Sequence, residues 1–335
     1  MVTIQRYEEL FERFRNIKVG VVGDVMLDTY MWGHVDRISP EAPVPIVALD
    51  KKEYRIGGAG NVALNAAALG AGVSVLSVMG DDEDGKLLKA KFAENNIKTD
   101  FLLTSGKRVT TNKTRIISKN QQMMRLDKEI SNDLGYEDEN RLVLGVQNFI
   151  AQEKPQVIIF EDYNKGVLSQ NVIDKIVGLC RHNGIITAVD PKRKNFFSYK
   201  GVTIFKPNLK EVKDGLNIIA DGVDLSALRH IHSELKAALN HQVSFITLSE
   251  KGVFYQSNEE AELIPSHLRN IADVSGAGDT VIAVASLVYA ATQNVKWMAE
   301  VANIAGGLVC EEVGTVAIDP DKLLRECVRL LPSLN

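Results

Sequence analysis

The chain has 335 residues and a formal net charge of −4, with 45% hydrophobic and 24% charged residues. That is ordinary globular composition, large enough for a substantial core, and the acidic balance argues against a general nucleic-acid binder. Cys180, Cys310 and Cys327 are odd in number and widely spaced, which excludes a disulfide framework and a thiolate metal centre and fits a reducing cytoplasm.

The opening stretch MVTIQRYEELFERFRN predicts a charged amphipathic helix without the apolar centre of a secretory signal. No later apolar run reaches the roughly 20 residues of a membrane span. A soluble, cytoplasmic protein is expected. KVGVVG at 18–23 then predicts a buried strand, and Asp24 follows at its C-terminal end as a candidate substrate ligand. From Tyr30 to Asp50 the text carries three prolines and no helical period, which predicts edge strands or a flap outside the main sheet.

Gly57, Gly58 and Gly60 crowd the start of the next helix, with Asn61 and Asn65 four apart along it. Such glycines permit close approach of a ligand, or equally tight packing of helix on sheet. A strand over 73–79 and a helix near 83–95 complete a β–α unit. Strands are expected at 97–103 and within 110–127, where TNKTRIIS puts Lys113 and Arg115 on one face. A pair of cations there suits a substrate phosphate, although a solvated basic strand reads the same way. The remainder alternates: helix 136–152, strand 156–160, helix 169–182, strands 185–189 and 203–206, helices from 209 and from 225 to 239, and a strand at 243–248. This alternation predicts an α/β fold with a mostly parallel sheet and helices on both faces. Polar residues follow five of its strands, so its carboxyl rim is the expected site.

The strongest signal is Asp273-Val-Ser-Gly-Ala-Gly-Asp-Thr280, placed before the apolar run 281–291. Small residues at a helix start let backbone N–H groups converge on an anion. A carboxylate beside that anion, Asp279, is repulsive unless it takes a proton. The pattern points to phosphoryl transfer, with Ser275, Gly276, Ala277 and Gly278 crowding N–H groups around the anion and Asp279 as the base, although a glycine-rich helix start whose Asp merely complements the helix dipole reads the same way.

Three motifs, Gly57-Gly58-Ala59-Gly60-Asn61, Asn208-Leu-Lys-Glu211 and the 273–280 octapeptide, resemble in order and spacing those of the ribokinase-like (PfkB) carbohydrate kinases, over essentially the whole chain. The runs GDVMLD (23–28), RISPEAPVP (37–45), SKNQQMMRLD (118–127) and DYNKG (162–166) are similar to those of the members acting on D-glycero-β-D-manno-heptose 7-phosphate. The resemblance implies a single ribokinase-like domain with a small β lid from about 30–47 and 100–127, and ATP and Mg²⁺ as co-substrate and metal. It implies that Asp24, Gly58 and Asn61 bind the sugar, that Asn208 and Glu211 organise Mg²⁺ through water, and that Ser249, Gly252, Asn303 and Gly306 border the nucleotide. A lid-mediated homodimer and a form without the nucleotidylyltransferase domain fused to some members are also implied. Lys113, Arg115 and Lys165, with Asp162 beside them, are the expected groups around the substrate phosphate. A kinase for another sugar or nucleoside, a catalytically silent sensor and a dinucleotide oxidoreductase are the rival readings. The sensor would be expected to lack Asp279 or Glu211, and no GxGxxG follows the first strand.

Overall fold

A computed structural model describes residues 2–119, 121–218, 224–258 and 260–331. Helix α1 (Val2–Phe14) leads into β1 (Lys18–Gly23), β2 (Val25–Ile38), β3 (Pro45–Gly58), α2 (Ala59–Ala68), β4 (Gly72–Gly80) and α3 (Glu83–Glu94). Next come β5 (Leu102–Ser105), β6 (Thr111–Ser118), β7 (Gln121–Lys128), α4 (Tyr136–Glu153), β8 (Val157–Glu161), α5 (Gln170–His182), β9 (Ile186–Asp190) and β10 (Ile204–Phe205). The chain finishes with α6 (Leu209–Leu216), α7 (Leu225–Leu239), β11 (Val243–Thr247), β12 (Val253–Gln256), β13 (Ala261–Ile264), α8 (Ala277–Thr292), α9 (Val295–Val309) and α10 (Pro320–Leu330).

The main sheet runs β13-β12-β11-β10-β9-β8-β1-β4-β5, parallel from β11 to β5 and closed at one edge by the antiparallel β12 and β13. Its strands are apolar on both faces because helices cover both. Val19 and Val21 join one core cluster with α2, α8 and α9, while Val22, Ile158 and Phe160 join the other with α4, α5 and α7. Helix α8 is apolar around its whole circumference and buried from Asp279 to Tyr289, as a helix through the centre of a core must be.

A second sheet, β3-β2-β6-β7, is built from the segments expected as a lid. It grows out of the main sheet: β2 begins two residues after β1 ends, and the Ala59 N–H donates to the Asp24 carbonyl at 3.0 Å where β3 returns. The lid is therefore longer than its expected first segment and shorter than its second. Leu102–Ser105 pairs in parallel with β4 and belongs to the main sheet, because its apolar residues fill that edge.

Candidate active site

The C-terminal ends of β1, β8, β9 and β10 deliver Asp24, Glu161, Asp190 and Lys206 to one rim of the main sheet, and α8 begins there. Gly276 caps that helix with φ of 78°, a left-handed turn, and a Cβ on it would lie 2.6 Å from Asn61 Nδ2. This close approach puts the Asn61 amide against the glycine turn. Asn61 Nδ2 donates to Asp279 Oδ2 at 2.8 Å, and the Tyr163 hydroxyl donates to Oδ1 at 2.8 Å. Asn65, one turn on, donates to the Asn61 carbonyl and side-chain oxygens at 2.8 and 3.3 Å and so braces that amide. Asp279 is 3% exposed, and burial pushes its carboxyl up to about 6 against the opposing pull of the two donors. A base poised there is ionised at neutral pH and basic enough to accept a hydroxyl proton in a transition state. In the expected anion hole, the Ala277 N–H donates to the Val274 carbonyl at 3.3 Å.

Beside the helix start lies a chain of alternating charges. Lys206 Nζ meets Asp190 Oδ2 at 2.7 Å, Lys192 Nζ meets Asp190 Oδ1 at 3.1 Å, and Lys192 also meets Glu211 Oε1 at 2.7 Å. Lys206 is 2% exposed, and a Cβ on Gly278 would lie 3.7 Å from its ammonium. Burial alone would raise the Asp190 carboxyl, but the two ammonium groups outweigh it and hold the acid below its ordinary range. Glu161, adjacent to Asp190 in register, is fully buried, and neither of its carboxyl oxygens has a partner among the described residues. Burial, then Asp190 and Asp279, push it well above the ordinary carboxylate range. Asn208 and Glu211 form a capping box at the start of α6, each side chain bonded to the other's backbone N–H at 2.8 Å.

The expected sugar ligands are drawn into holding a loop. Asp24, 2% exposed, accepts backbone N–H bonds from Tyr163, Lys165 and Val167 at 2.9, 3.0 and 3.0 Å, and thereby fixes the DYNKG segment over the rim. Asp162 is likewise turned inward, onto Asn195 at 3.1 Å and the Tyr199 hydroxyl at 2.8 Å; burial, then the charge of Asp24, raise it to about 6. Gly58, at φ 57°, packs against the Asp24 backbone, where a Cβ would fall 2.4 Å from the carbonyl oxygen. Of the three cations expected at a substrate phosphate, two have carboxylate partners: Arg115 meets Asp28 at 2.7 Å and Lys165 meets Glu129 at 2.7 Å. Lys113 has no such partner within salt-bridge distance among the described residues, and its ammonium lies 5.5 Å from the Tyr163 ring centre.

The expected nucleotide border is built of backbone and packing. Ser249 takes φ of 55° in the turn after β11, and Gly252 at φ 94° passes so close to Ile264 that a Cβ would meet its carbonyl at 2.1 Å. Asn303 donates to the Pro265 carbonyl at 2.9 Å, while Gly306 lets α9 close on Val281 of α8. Sequence reasoning passed over Tyr163, Lys192, Lys206 and Glu161 as site residues. Each ends a strand of the rim or lies within two residues of its end, so position was the available signal.

The pfkB family carbohydrate kinase model matches residues 16–322. A bifunctional protein HldE of Desulfatibacillum aliphaticivorans is 40% identical over 92% of this chain and 63% of its own length, and one of Campylobacter concisus is 40% identical over 90% and 62%. The chain thus spans less than two thirds of these curated relatives. Phosphofructokinase-2 from Escherichia coli, in complex with potassium, superposes with a TM-score of 0.76 at 17% identity, over 92% of this chain and 99% of the other. Arabidopsis thaliana ribokinase, complexed with ribose and ATP, superposes with a TM-score of 0.70 at 14% identity, over 92% and 99%. At those identities the structures show the shared fold, and the family match carries the rest: this chain belongs to the pfkB family of carbohydrate kinases.

Proposed function

We propose that this chain transfers the γ-phosphoryl group of ATP to the anomeric hydroxyl of D-glycero-β-D-manno-heptose 7-phosphate, giving the 1,7-bisphosphate and ADP for ADP-heptose synthesis. The observation that carries the kinase reading is the Asp279 carboxylate, buried and held on both oxygens beside a glycine helix start, with Lys206 at its edge. As the acceptor oxygen bonds to the γ-phosphorus and the bond to the β,γ-bridging oxygen breaks, Asp279 takes the hydroxyl proton and ADP leaves with the electron pair. The Gly276 and Gly278 N–H groups and the ammoniums of Lys206 and Lys192 face the charge that builds on the transferring group.

The residues present fit Mg²⁺ as a partly hydrated ion. Among the described residues no cluster of three carboxylate, histidine or cysteine side chains could hold a metal, whereas Glu211 and Asn208 supply hard oxygens beside the lysine chain. Those two would hold the ion through water, and its chemistry is to neutralise phosphate charge.

The heptose 7-phosphate assignment rests on the lid-side runs 37–45 and 118–127, with Lys113 as the free cation for the remote phosphate. The lid also exposes Ile38, Val44, Leu49, Met124 and Leu126, an apolar set that suits a homodimer. A cytoplasmic site of action fits a small phosphorylated substrate, and no helix among the described residues is long and apolar enough to cross a membrane.

ADP release measured over heptose 7-phosphate, fructose 6-phosphate, fructose 1-phosphate and free sugars tests the assignment. Strong preference for the heptose phosphate is the expected result. Preference for fructose 6-phosphate would sink the heptose assignment and leave the kinase intact.

A further inference from the structure

Asp279 has its two oxygens held by different parts of the fold. Asn61 reaches Oδ2 from α2, and Tyr163 reaches Oδ1 from the loop after β8. That loop is rigidly seated. The Tyr163 N–H bonds to the buried Asp24 carboxylate at 2.9 Å, Asn164 follows in a left-handed conformation at φ 54°, and a Cβ on Gly166 would collide with the Asn132 carbonyl at 2.0 Å. The Tyr163 ring has Lys113 of the lid and Lys192 of the rim each 5.5 Å from its centre. A phenol fixed by its backbone at one end and by the base at the other thus stands where the lid, the lysine chain and Asp279 meet.

We propose that Tyr163 is a positioning residue for phosphoryl transfer: its hydroxyl aims Asp279 Oδ2 and its neighbouring lone pairs toward the acceptor and keeps the carboxylate ionised. The proposal rests on Asp279 being the base. The groups facing that carboxylate are Asn61 from α2, Tyr163 and Glu161 from β8 and its loop, Asp190 from β9, and Lys192 and Lys206 beyond. Asn61 and Tyr163 are the two that bond to it. Burial and the carboxylates around Tyr163, Asp279 first, push its phenol well above the ordinary range, so it serves as a donor at every working pH. Asp279 itself stands at about 6 with both donors in place, so losing one donor to the charged form moves it toward neutrality.

The test follows the titration of the Asp279 carboxyl directly, by ¹³C NMR of protein labelled at aspartate, assigned as the signal lost in Asp279→Asn. This readout needs no acceptor. Tyr163→Phe keeps the ring between the two lysines and removes only the donor; its Asp279 midpoint should rise by about 1 to 2 pH units, the worth of a charge-assisted bond. The acid limb of kcat/KM should rise with it, so that the loss of activity is about tenfold at pH 6 and shrinks toward pH 9, with the KM for ATP unchanged. Protein carrying 3,5-difluorotyrosine at 163, a stronger donor of the same shape, should move both in the opposite direction, and it carries the test if Tyr163→Phe does not fold. An unmoved carboxyl midpoint, or a loss of activity equal at all pH values, overturns the proposal. An active Asp279→Asn protein would instead overturn the reading of Asp279 as the base.

Discussion

The rim of the main sheet and the lid above it are both crowded with charges, yet they spend those charges differently. At the rim, Asp190, Lys206 and Asp279 are all nearly inaccessible; Lys206 meets Asp190 at 2.7 Å and Asp279 is held by Asn61 and Tyr163, all in a low-dielectric setting. On the lid, β7 is exposed along its whole length, and its charges pair in water, as Arg125 with Asp127 at 2.8 Å and Lys128 with Asp84 at 3.0 Å. Electrostatics buried at the rim are strong enough to shift a carboxyl by units of pH, whereas those along β7 are screened by solvent. Under the proposed function, chemistry belongs to the first region and acceptor choice to the second.

The sharpest way to break it is Asp279→Asn. Turnover should fall at least ~100-fold with ATP affinity retained, since general-base help is typically worth ~10² to 10⁴. Near-normal turnover would remove chemistry from the rim. The same variant has a thermodynamic signature. Asp279 titrates at about 6 in the folded protein against an ordinary 3.8, so ionising it costs folding free energy that appears as pH rises through that window. The difference of about 2 units is worth about 3 kcal/mol as an upper figure. Asparagine mimics the protonated acid, so the variant should be more stable than the parent at pH 8 and equal to it at pH 4 or below, as read from denaturant midpoints at the two pH values.

Lys113→Met probes the lid. With Lys113 as the cation left free, the KM for the sugar phosphate should rise about tenfold, the lower end of what a charge-assisted phosphate contact is worth, while kcat changes little. Activity on a sugar without the remote phosphate should be unaffected. An equal loss on both acceptors would mean that Lys113 serves the reacting centre through Tyr163 instead.

The same division explains how much could be read from the residues alone. The parallel sheet and the helix starts at Ala59, Leu209 and Ala277 were legible because each is written in local pattern: apolar runs closed by polar residues, a capping box at 208–211, a glycine turn before an all-apolar helix. What was not legible was which neighbours each polar residue meets. Asp24 and Asp162 follow their strands as ligands would, but a loop 140 positions along the chain takes the Asp24 oxygens and the Asn195 and Tyr199 side chains take Asp162. Lys206 reads as the last residue of an apolar strand, and only the sheet order, which sets β10 beside β9, turns it onto Asp190. Nor does alternation along TNKTRIIS tell that Asp28, on the neighbouring strand, claims Arg115 and that Lys113 has no salt-bridge partner among the described residues.

The smallest expected effect tests how that freedom is kept. In the antiparallel pair of β6 and β7, Lys113 stands opposite Asp127 and Arg115 opposite Arg125, so all four side chains share one face. Asp127 is the natural partner for Lys113, but Arg125 grips it through Nε and Nη2 at 2.8 and 3.0 Å. Arg125→Ala removes an exposed ion pair and should alter stability by no more than about 1 kcal/mol. It also releases Asp127 toward Lys113, so the KM for the sugar phosphate should rise about two- to threefold, less than for Lys113→Met because a half-exposed carboxylate competes only weakly with a phosphate dianion. Adding Asp127→Ala to Arg125→Ala should restore the parent KM. A double variant that stays impaired would show that Arg125 contacts the acceptor itself, and the division between a selecting lysine and its supporting charges on the lid would have to be redrawn.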